Sequence, residues 1–324
     1  MVICAYTEER WDDLLAAIDS VADQRVAACE TIVVIDHDDA LLRRLRAARP
    51  GVVALPSSEA RGLSGARNTG VRAARGSVVA FLDDDARADR GWLERLLARY
   101  DDPSVIGVGG RVEADWAGGR PSWFPREFDW VVGCSYDGLP RQAEAVRNMI
   151  GANMSLRRSV LELVGGFRDG IGRVGKRPLG CEETELCIRA RQRLPAATIL
   201  FEPAAAVAHR VPRERASWRY YRARCYAEGL SKAAIGSAVG TSDSLSSERA
   251  HVMRTLPRGV VRGAGDALRG DAAGLARALA ILAGLALTAA GYARGRLLPT
   301  AALAGTPVHR RATARIAPSA ASDL

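Results

Sequence analysis

The chain has 324 residues, of which 48% are hydrophobic and 26% charged, a balance that excludes a wholly disordered or fibrous protein and leaves room for one large domain or two smaller ones. A net charge of +9 favours a polyanionic partner: a nucleotide, an anionic lipid surface or nucleic acid. The six cysteines (4, 29, 134, 181, 187 and 225) include no CxxC pair, which argues against a zinc ribbon and for unpaired thiols in a reducing compartment.

Val2 to Tyr6, Ile32 to Ile35 and Val78 to Leu82 are short apolar runs, separated by helical patterns such as Asp12 to Val21 and Leu41 to Ala48. That alternation predicts an α/β fold whose parallel strands are covered on both faces. Each run ends in acids: Glu8 and Glu9 after Thr7, then Asp36 with Asp38 and Asp39, then Asp83, Asp84 and Asp85. In open α/β sheets ligands bind beyond the carboxyl ends of the strands, so these acids are expected to share one crevice. Neighbouring carboxylates repel by about 3 kcal/mol per pair at an effective dielectric near 20, so the triplet calls for a cation. A solvated turn is the plain alternative, but capping does not require the triplet, because Asp89 already stands where the next helix needs an N-cap. Between the second and third runs, Gly62 and Gly65 open a helical segment whose N-terminus can face a phosphate, with Arg67 as the charged partner; turns and packing would use the same glycines.

Further on, Trp116, Trp123, Phe124, Phe128 and Trp130 suit either a sugar- or lipid-binding face or a core. Glu182, Glu183 and Glu185 open a helix running to Arg191, as first-turn acids or as an acid/base pair. His209 follows the apolar run Pro203 to Ala208, as a ligand or as a structural histidine. Arg210 to Gly270 holds twelve Lys/Arg against five Asp/Glu. Within it Met253, Leu256, Val260, Ala264 and Leu268 keep helical spacing beside arginines, which fits a helix on an anionic membrane or one packed on the domain, although Pro257 and three glycines weaken the pattern. Ala278 to Ala293 carries no charge over 16 residues, about 24 Å of helix, short of a hydrocarbon core of about 30 Å. Shallow insertion, with Leu297 to Ala304 contributing, is therefore expected rather than a full span. No nucleic-acid recognition pattern is evident.

Ala5-Tyr6-Thr7-Glu8-Glu9, Val34-Ile35-Asp36, Gly62 to Asn68, Phe81 to Asp85, Gly151 to Ser155, Val164 to Phe167, Glu182 to Leu186 and Pro203 to His209 together resemble the family 2 glycosyltransferases of GT-A fold, in the family's order over about residues 1 to 235. The resemblance implies a Rossmann-like nucleotide-binding half with a mixed central sheet. Domains are expected at 1–240 (1–110 for the nucleotide-sugar, 111–240 for acceptor and base), with a helical membrane-associating segment at 241–305 and a disordered tail at 306–324. It also implies that Tyr6 and Glu8 flank base and ribose, that Asp36 accepts from the base, and that Arg67, Asp83 and Asp84 belong to the nucleotide-sugar site. Asp85, with His209, would hold Mg²⁺ or Mn²⁺ on the diphosphate, and Asp84 would be the spacer between the paired acids.

Glu183 takes the place of the catalytic base, with Glu182 beside it; the family's usual Glu-Asp leaves the choice between them open. The implied reaction is an inverting single displacement from a nucleotide-sugar, by expectation a UDP-sugar. The acceptor would be a glycan or polyprenyl-phosphate-linked sugar, at the cytoplasmic face of the membrane and without a signal peptide. The segments 108–133 and 172–189 resemble the subgroup of archaeal enzymes that transfer glucuronate to a lipid-phosphate-linked glucose. Thr7 in place of Asn and His37-Asp38-Asp39 in place of Asp-Gly-Ser depart from the family pattern, which keeps a non-catalytic nucleotide-sugar or lipid-binding protein as the alternative.

Overall fold

The computed structural model describes residues 1–168, 180–240 and 246–297. The expectations for 172–179, for Leu298 to Ala304 and for the tail at 306–324 lie outside the described residues.

Four strands at the amino-terminal side run parallel: β1 (Val2–Ala5), β2 (Ile32–Ile35), β3 (Val53–Pro56) and β4 (Val78–Asp83). The first, second and fourth coincide with the predicted apolar runs to within a residue at each end. Between them lie α1 (Trp11–Ala22), α2 (Asp39–Ala48) and α3 (Leu63–Ala73). β1 and β2 are buried almost throughout, as a doubly covered parallel strand requires.

Beyond β4 the sheet becomes mixed. The later strands are β5 (Ala86–Ala88), β6 (Val105–Trp116), β7 (Glu144–Ala145), β8 (Asn153–Arg157) and β9 (Thr198–Val211). The full order is β3-β2-β1-β4-β8-β6-β9-β5, with β7 also on β9. β6 and β9 run parallel along most of their lengths, interrupted where the register jumps from Gly110↔Glu202 to Arg111↔Ala206. That bulge bends the pair and turns its second half toward the end of β4. A Cβ on Gly110 would lie 1.9 Å from the Ala205 carbonyl oxygen, and side-chain atoms of Asn153 crowd the same point, so the close approach needs glycine. The predicted run Pro203 to Ala208 is thus the middle of a 14-residue strand, and its Pro203 sits in the bulge, where no ladder hydrogen bond is lost.

α4 (Trp92–Leu97) follows, then α5 (Arg158–Val164), α6 (Glu182–Arg193) and α7 (Trp218–Val239). The expectation that Asp89 caps α4 is corrected: the N-cap is Gly91, without a side-chain bond, and Asp89 offers only its backbone carbonyl to Trp92. α8 (Ser246–Ala250) continues through a π-helical turn, His251–Thr255, into α9 (Leu256–Leu268), and α10 (Ala272–Leu297) closes the described chain. Pro257 stands at the second residue of α9, directly after the π-helical turn, and the widened turn accommodates its missing N–H.

Gly263 and Gly274 let α9 and α10 meet backbone to backbone, and Gly229 and Gly291 do the same for α7 and α10. The glycines that weaken a helix read in isolation are here the contact surface between helices. Trp116, Trp123 and Phe124 join Tyr221 of α7 in an aromatic cluster whose contacts are edge-to-face except for the tilted Trp123–Phe124 pair. These three rings therefore seal the helical segment to the sheet rather than forming a free face.

Candidate active site

β1 places Cys4 beside Asp83 at the end of β4, and the chain turns through Asp84 and Asp85 into β5. Antiparallel pairing then sets Ala86 opposite His209 of β9. The fold therefore brings His209 to the triplet from 124 residues away along the chain. Its Nε2 lies 3.1 Å from Asp85 Oδ1, and its Nδ1 is 3.7 Å from the Cys134 thiol.

The three acids are met by cations of the chain itself. Arg10 reaches Asp84 at 2.9 Å and Asp85 at 3.0 Å, and Arg215 stands 3.8 Å from Asp85. Arg67, only 2% exposed, donates to Glu182 at 2.9 Å, to Asp83 at 3.3 Å and to the Gly151 carbonyl at 3.1 Å. The triplet divides by environment. Asp84 turns inward, is 4% exposed and leaves Oδ2 buried with no hydrogen-bond partner. Burial pushes its carboxyl up to about 7 despite Arg10. Burial would raise Asp85 too, but His209, Arg10 and Arg215 hold it well below the ordinary carboxylate range. Burial would lower His209, yet Asp85 outweighs it and lifts the imidazole to about 10.

One ligand atom from each of Asp83, Asp85 and His209 falls within 4.8 Å of the others. The 3.1 Å between His209 Nε2 and Asp85 Oδ1 matches the roughly 3 Å between adjacent ligands of an octahedral ion with bonds of about 2.1 Å. Two carboxylates and an imidazole therefore fit a hard divalent ion such as Mg²⁺ or Mn²⁺, and the imidazolium proton is the charge that such an ion replaces.

Glu182 and Glu183 begin α6, behind Cys181 in the left-handed region at φ 76°. Glu182 turns to Arg67. Glu183 opens onto a cavity of about 310 Å³ that also exposes Asp83, Asp85 and His209. Burial first and the Glu182 charge second lift the Glu183 carboxyl to about 7, which suits proton abstraction near neutral pH. Both acids line the cavity, but the pair that the sequence leaves interchangeable is in two situations: Glu182 is ion-paired to Arg67 at 2.9 Å, whereas Glu183 accepts from the Thr184 hydroxyl at 3.2 Å.

Tyr6, Glu8 and Asp36 stand outside this cavity. Tyr6 is 51% exposed, with Arg10 stacked over its ring at 5.4 Å, and Glu8 lies 3.5 Å from Arg44. Asp36 accepts from the Gly62 N–H at 2.9 Å and meets His37 Nδ1 at 2.7 Å, so it ties the end of β2 to the head of α3. Of the predicted aromatic face, Phe128 and Trp130 line the cavity. Arg10 and Arg215 escape a sequence reading because nothing in their neighbourhoods marks them; the need of the acidic triplet for cations is the only signal.

The mixed α/β sheet gathers at its strand ends two acids and a histidine that could hold a metal ion, beside a carboxylate of raised proton affinity, the layout of a transferase site. Residues 1–165 match the family description "Glycosyl transferase family 2", and the chain belongs to that family; it is a glycosyltransferase. It is 33% identical over 236 residues to the glucosyl-dolichyl phosphate glucuronosyltransferase of Haloferax volcanii, covering 72% of this chain and 75% of that protein. Two solved structures share the GT-A fold. The mannosyltransferase PcManGT from Pyrobaculum calidifontis, in complex with GDP-Man and Mn²⁺, aligns with a TM-score of 0.54 and 16% identity over 89% of this chain and 86% of that one. GalNAc-T7 with UDP, GalNAc and Mn²⁺ aligns with a TM-score of 0.51 and 17% identity over 72% of this chain and 49% of that one.

Proposed function

We propose that the protein is a metal-dependent, inverting glycosyltransferase that moves a sugar from a nucleotide-sugar, first among them a UDP-sugar, to a lipid-phosphate-linked sugar or a related glycan. The observation that carries this reading is the presence of Glu183, Asp83, Asp85 and His209 around one cavity. Residues 1–110 serve the nucleotide-sugar, with Tyr6, Glu8, Asp36 and Arg67 on that side, and 111–240 serve the acceptor and the base. Asp83, Asp85 and His209 hold Mg²⁺ or Mn²⁺, which when bound supplies positive charge to the departing diphosphate. Arg10, Arg67 and Arg215 add fixed positive charge around the acids, where negative charge grows as the nucleotide leaves. Glu183 takes the proton from the acceptor hydroxyl, and the Arg67 bond to Glu182 keeps the neighbouring acid from competing for it. Attack from the opposite side inverts the anomeric carbon.

α10 supports a membrane site of action. It is 26 residues long, with a mean hydropathy of 1.8 in its most apolar window. Leu275, Leu279 and Leu282 are more than half exposed and continue into exposed Ala286, Ala289 and Ala293, an outward stripe with no polar side chain. Its opposite face is committed to α7 and α9 through glycines, which favours lying against the cytoplasmic leaflet over spanning it. The likeness to the Haloferax glucosyl-dolichyl phosphate glucuronosyltransferase makes UDP-glucuronate and a polyprenyl-phosphate-linked glucose the first pair to test. The test is turnover of UDP-, GDP- and TDP-sugars with Mn²⁺ and that acceptor, with the anomeric configuration of the product read by NMR. Inversion with one donor supports the reading; nucleotide binding without turnover across donors and acceptors supports a binding protein instead.

A further inference from the structure

The cations around the acidic triplet differ in how firmly the chain holds them. Arg67 is buried and commits its guanidinium to three acceptors, Glu182, Asp83 and the Gly151 carbonyl. Arg10 is held to the acids by one nitrogen. Its Nη1 lies 2.9 Å from Asp84 Oδ1 and 3.0 Å from Asp85 Oδ2, and among the described residues its Nε and Nη2 make no hydrogen bond. A guanidinium matches a carboxylate best through two parallel N–H bonds; Arg10 makes no such pair and keeps donors to spare. It ends the short 3₁₀ turn after β1, Glu8–Arg10, and stands at the N-cap of α1. Its backbone is therefore fixed, while its side chain, 21% exposed, lines the cavity. The guanidinium lies between the Tyr6 ring, 5.4 Å away, and the acids. Asp85 is claimed from both sides. Its Oδ1 faces His209 Nε2 at 3.1 Å, within the group that could hold a divalent ion, and its Oδ2 faces Arg10. A divalent ion and a guanidinium on the two oxygens of one carboxylate repel each other.

Resting on the transferase reading above, we propose that Arg10 is a positioning residue that makes metal and nucleotide bind as a unit. It opposes a lone divalent ion at Asp85 and, when a nucleoside diphosphate comes with the ion, turns its spare donors to the phosphates. A diphosphate removes the conflict, because its oxygens can ligate the ion and accept from a guanidinium at the same time. Asp84 remains the anchor: it is buried, stands outside the group that could hold the ion, and keeps its 2.9 Å bond to Arg10. The middle acid of the triplet then has a task of its own, holding the arginine within reach of ion and nucleotide. Arg67 cannot take this part, since its three acceptors fix it, and Arg215 stands farther off, 3.8 Å from Asp85.

The test is calorimetric titration of the full chain with Mn²⁺, without and with saturating UDP and corrected for Mn²⁺ held by UDP in solution. The proteins are wild type, Arg10→Gln and the charge-conserving Arg10→Lys. Arg10→Gln should bind Mn²⁺ alone about tenfold more tightly than wild type, because one repelling positive charge has left the site. A merely structural role for Arg10 would weaken that binding instead. UDP should tighten Mn²⁺ binding in wild type, and that gain should shrink about tenfold in Arg10→Gln and be largely kept in Arg10→Lys. Folded Arg10→Gln that binds Mn²⁺ as wild type does, or more weakly, would overturn the proposal, as would an undiminished gain from UDP. If Arg10→Gln does not fold, phenylglyoxal labelling of wild type, mapped to Arg10 by mass spectrometry, decides. Mn²⁺ alone should speed labelling of Arg10 and Mn²⁺ with UDP should suppress it; labelling that does not follow this order overturns the proposal. Wild type that binds neither Mn²⁺ nor UDP counts against the transferase reading itself, so the two failures are distinguishable.

Discussion

Replacing Glu183 by Gln separates catalysis from stability in opposite directions. The carboxyl has an ordinary value of 4.5 and is lifted to about 7 by burial and by Glu182. A group whose folded value is raised contributes fully below its unfolded value and loses that contribution as pH rises through the folded one. At about 1.4 kcal/mol per tenfold, ionising Glu183 in place costs the folded protein up to about 3 kcal/mol at pH 8 and almost nothing at pH 4.5. The Gln side chain keeps the shape and cannot ionise. Thermal melts of both proteins at pH 5 and pH 8 are therefore expected to show the variant gaining roughly 5 °C at pH 8 and little at pH 5. Sugar transfer should fall about a hundredfold or more, the usual worth of a general base. In the wild type, kcat/KM should rise with pH through about 7 and then level. A melting difference that does not change with pH, or a variant with full activity, would refute the assignment of Glu183 as a desolvated base.

Other perturbations test other joints of the structure. Arg67→Met leaves Glu182 buried without its 2.9 Å partner, and urea melts should show a loss of about 3 to 5 kcal/mol. Gly110→Ala puts a methyl 1.9 Å from the Ala205 carbonyl oxygen; the β6/β9 bulge has to shift, and a loss of about 1 to 3 kcal/mol is expected in the same assay. Changing Leu275, Leu279 and Leu282 together to Gln removes the exposed apolar ridge of α10. Co-sedimentation with vesicles of phosphatidylcholine and phosphatidylglycerol should drop about a hundredfold, or about 3 kcal/mol, with circular dichroism unchanged.

The parallel half of the fold was legible because β1, β2 and β4 are buried on both faces and read as unbroken apolar runs, with amphipathic helices between them. The second half was less so. β6 and β9 are joined by pairing distant in sequence, and the bulge between them is set by Gly110 meeting Ala205, a contact with no local signature. The acidic triplet was visible, but the separate fates of its members were not. Asp84 turns to Arg10 and Asp85 to His209 because of where β5 pairs, which depends on β9. Asp89 looked like an N-cap by residue type, yet Gly91 starts the helix because the chain turns two residues later. Glu182 and Glu183 were equivalent in sequence, and only Arg67, buried across the sheet, distinguishes them. On α7 the spacing Arg224, Glu228, Lys232 reads as an ordinary solvated helix face. Its place on the cavity wall follows from α8, α9 and α10 closing over it, which no local pattern encodes.

In the proposed function, Asp83, Asp85, His209 and Glu183 act together as one metal-dependent transfer site. The most direct test is release of nucleoside diphosphate from the preferred donor in the presence of the lipid-linked acceptor, with Mn²⁺ or EDTA, for wild type, Asp85→Ala and Glu183→Gln. Release by wild type is expected only with the metal, with loss of metal dependence together with activity in Asp85→Ala and metal binding without turnover in Glu183→Gln. Undiminished release by wild type in EDTA, or by Asp85→Ala, would contradict it.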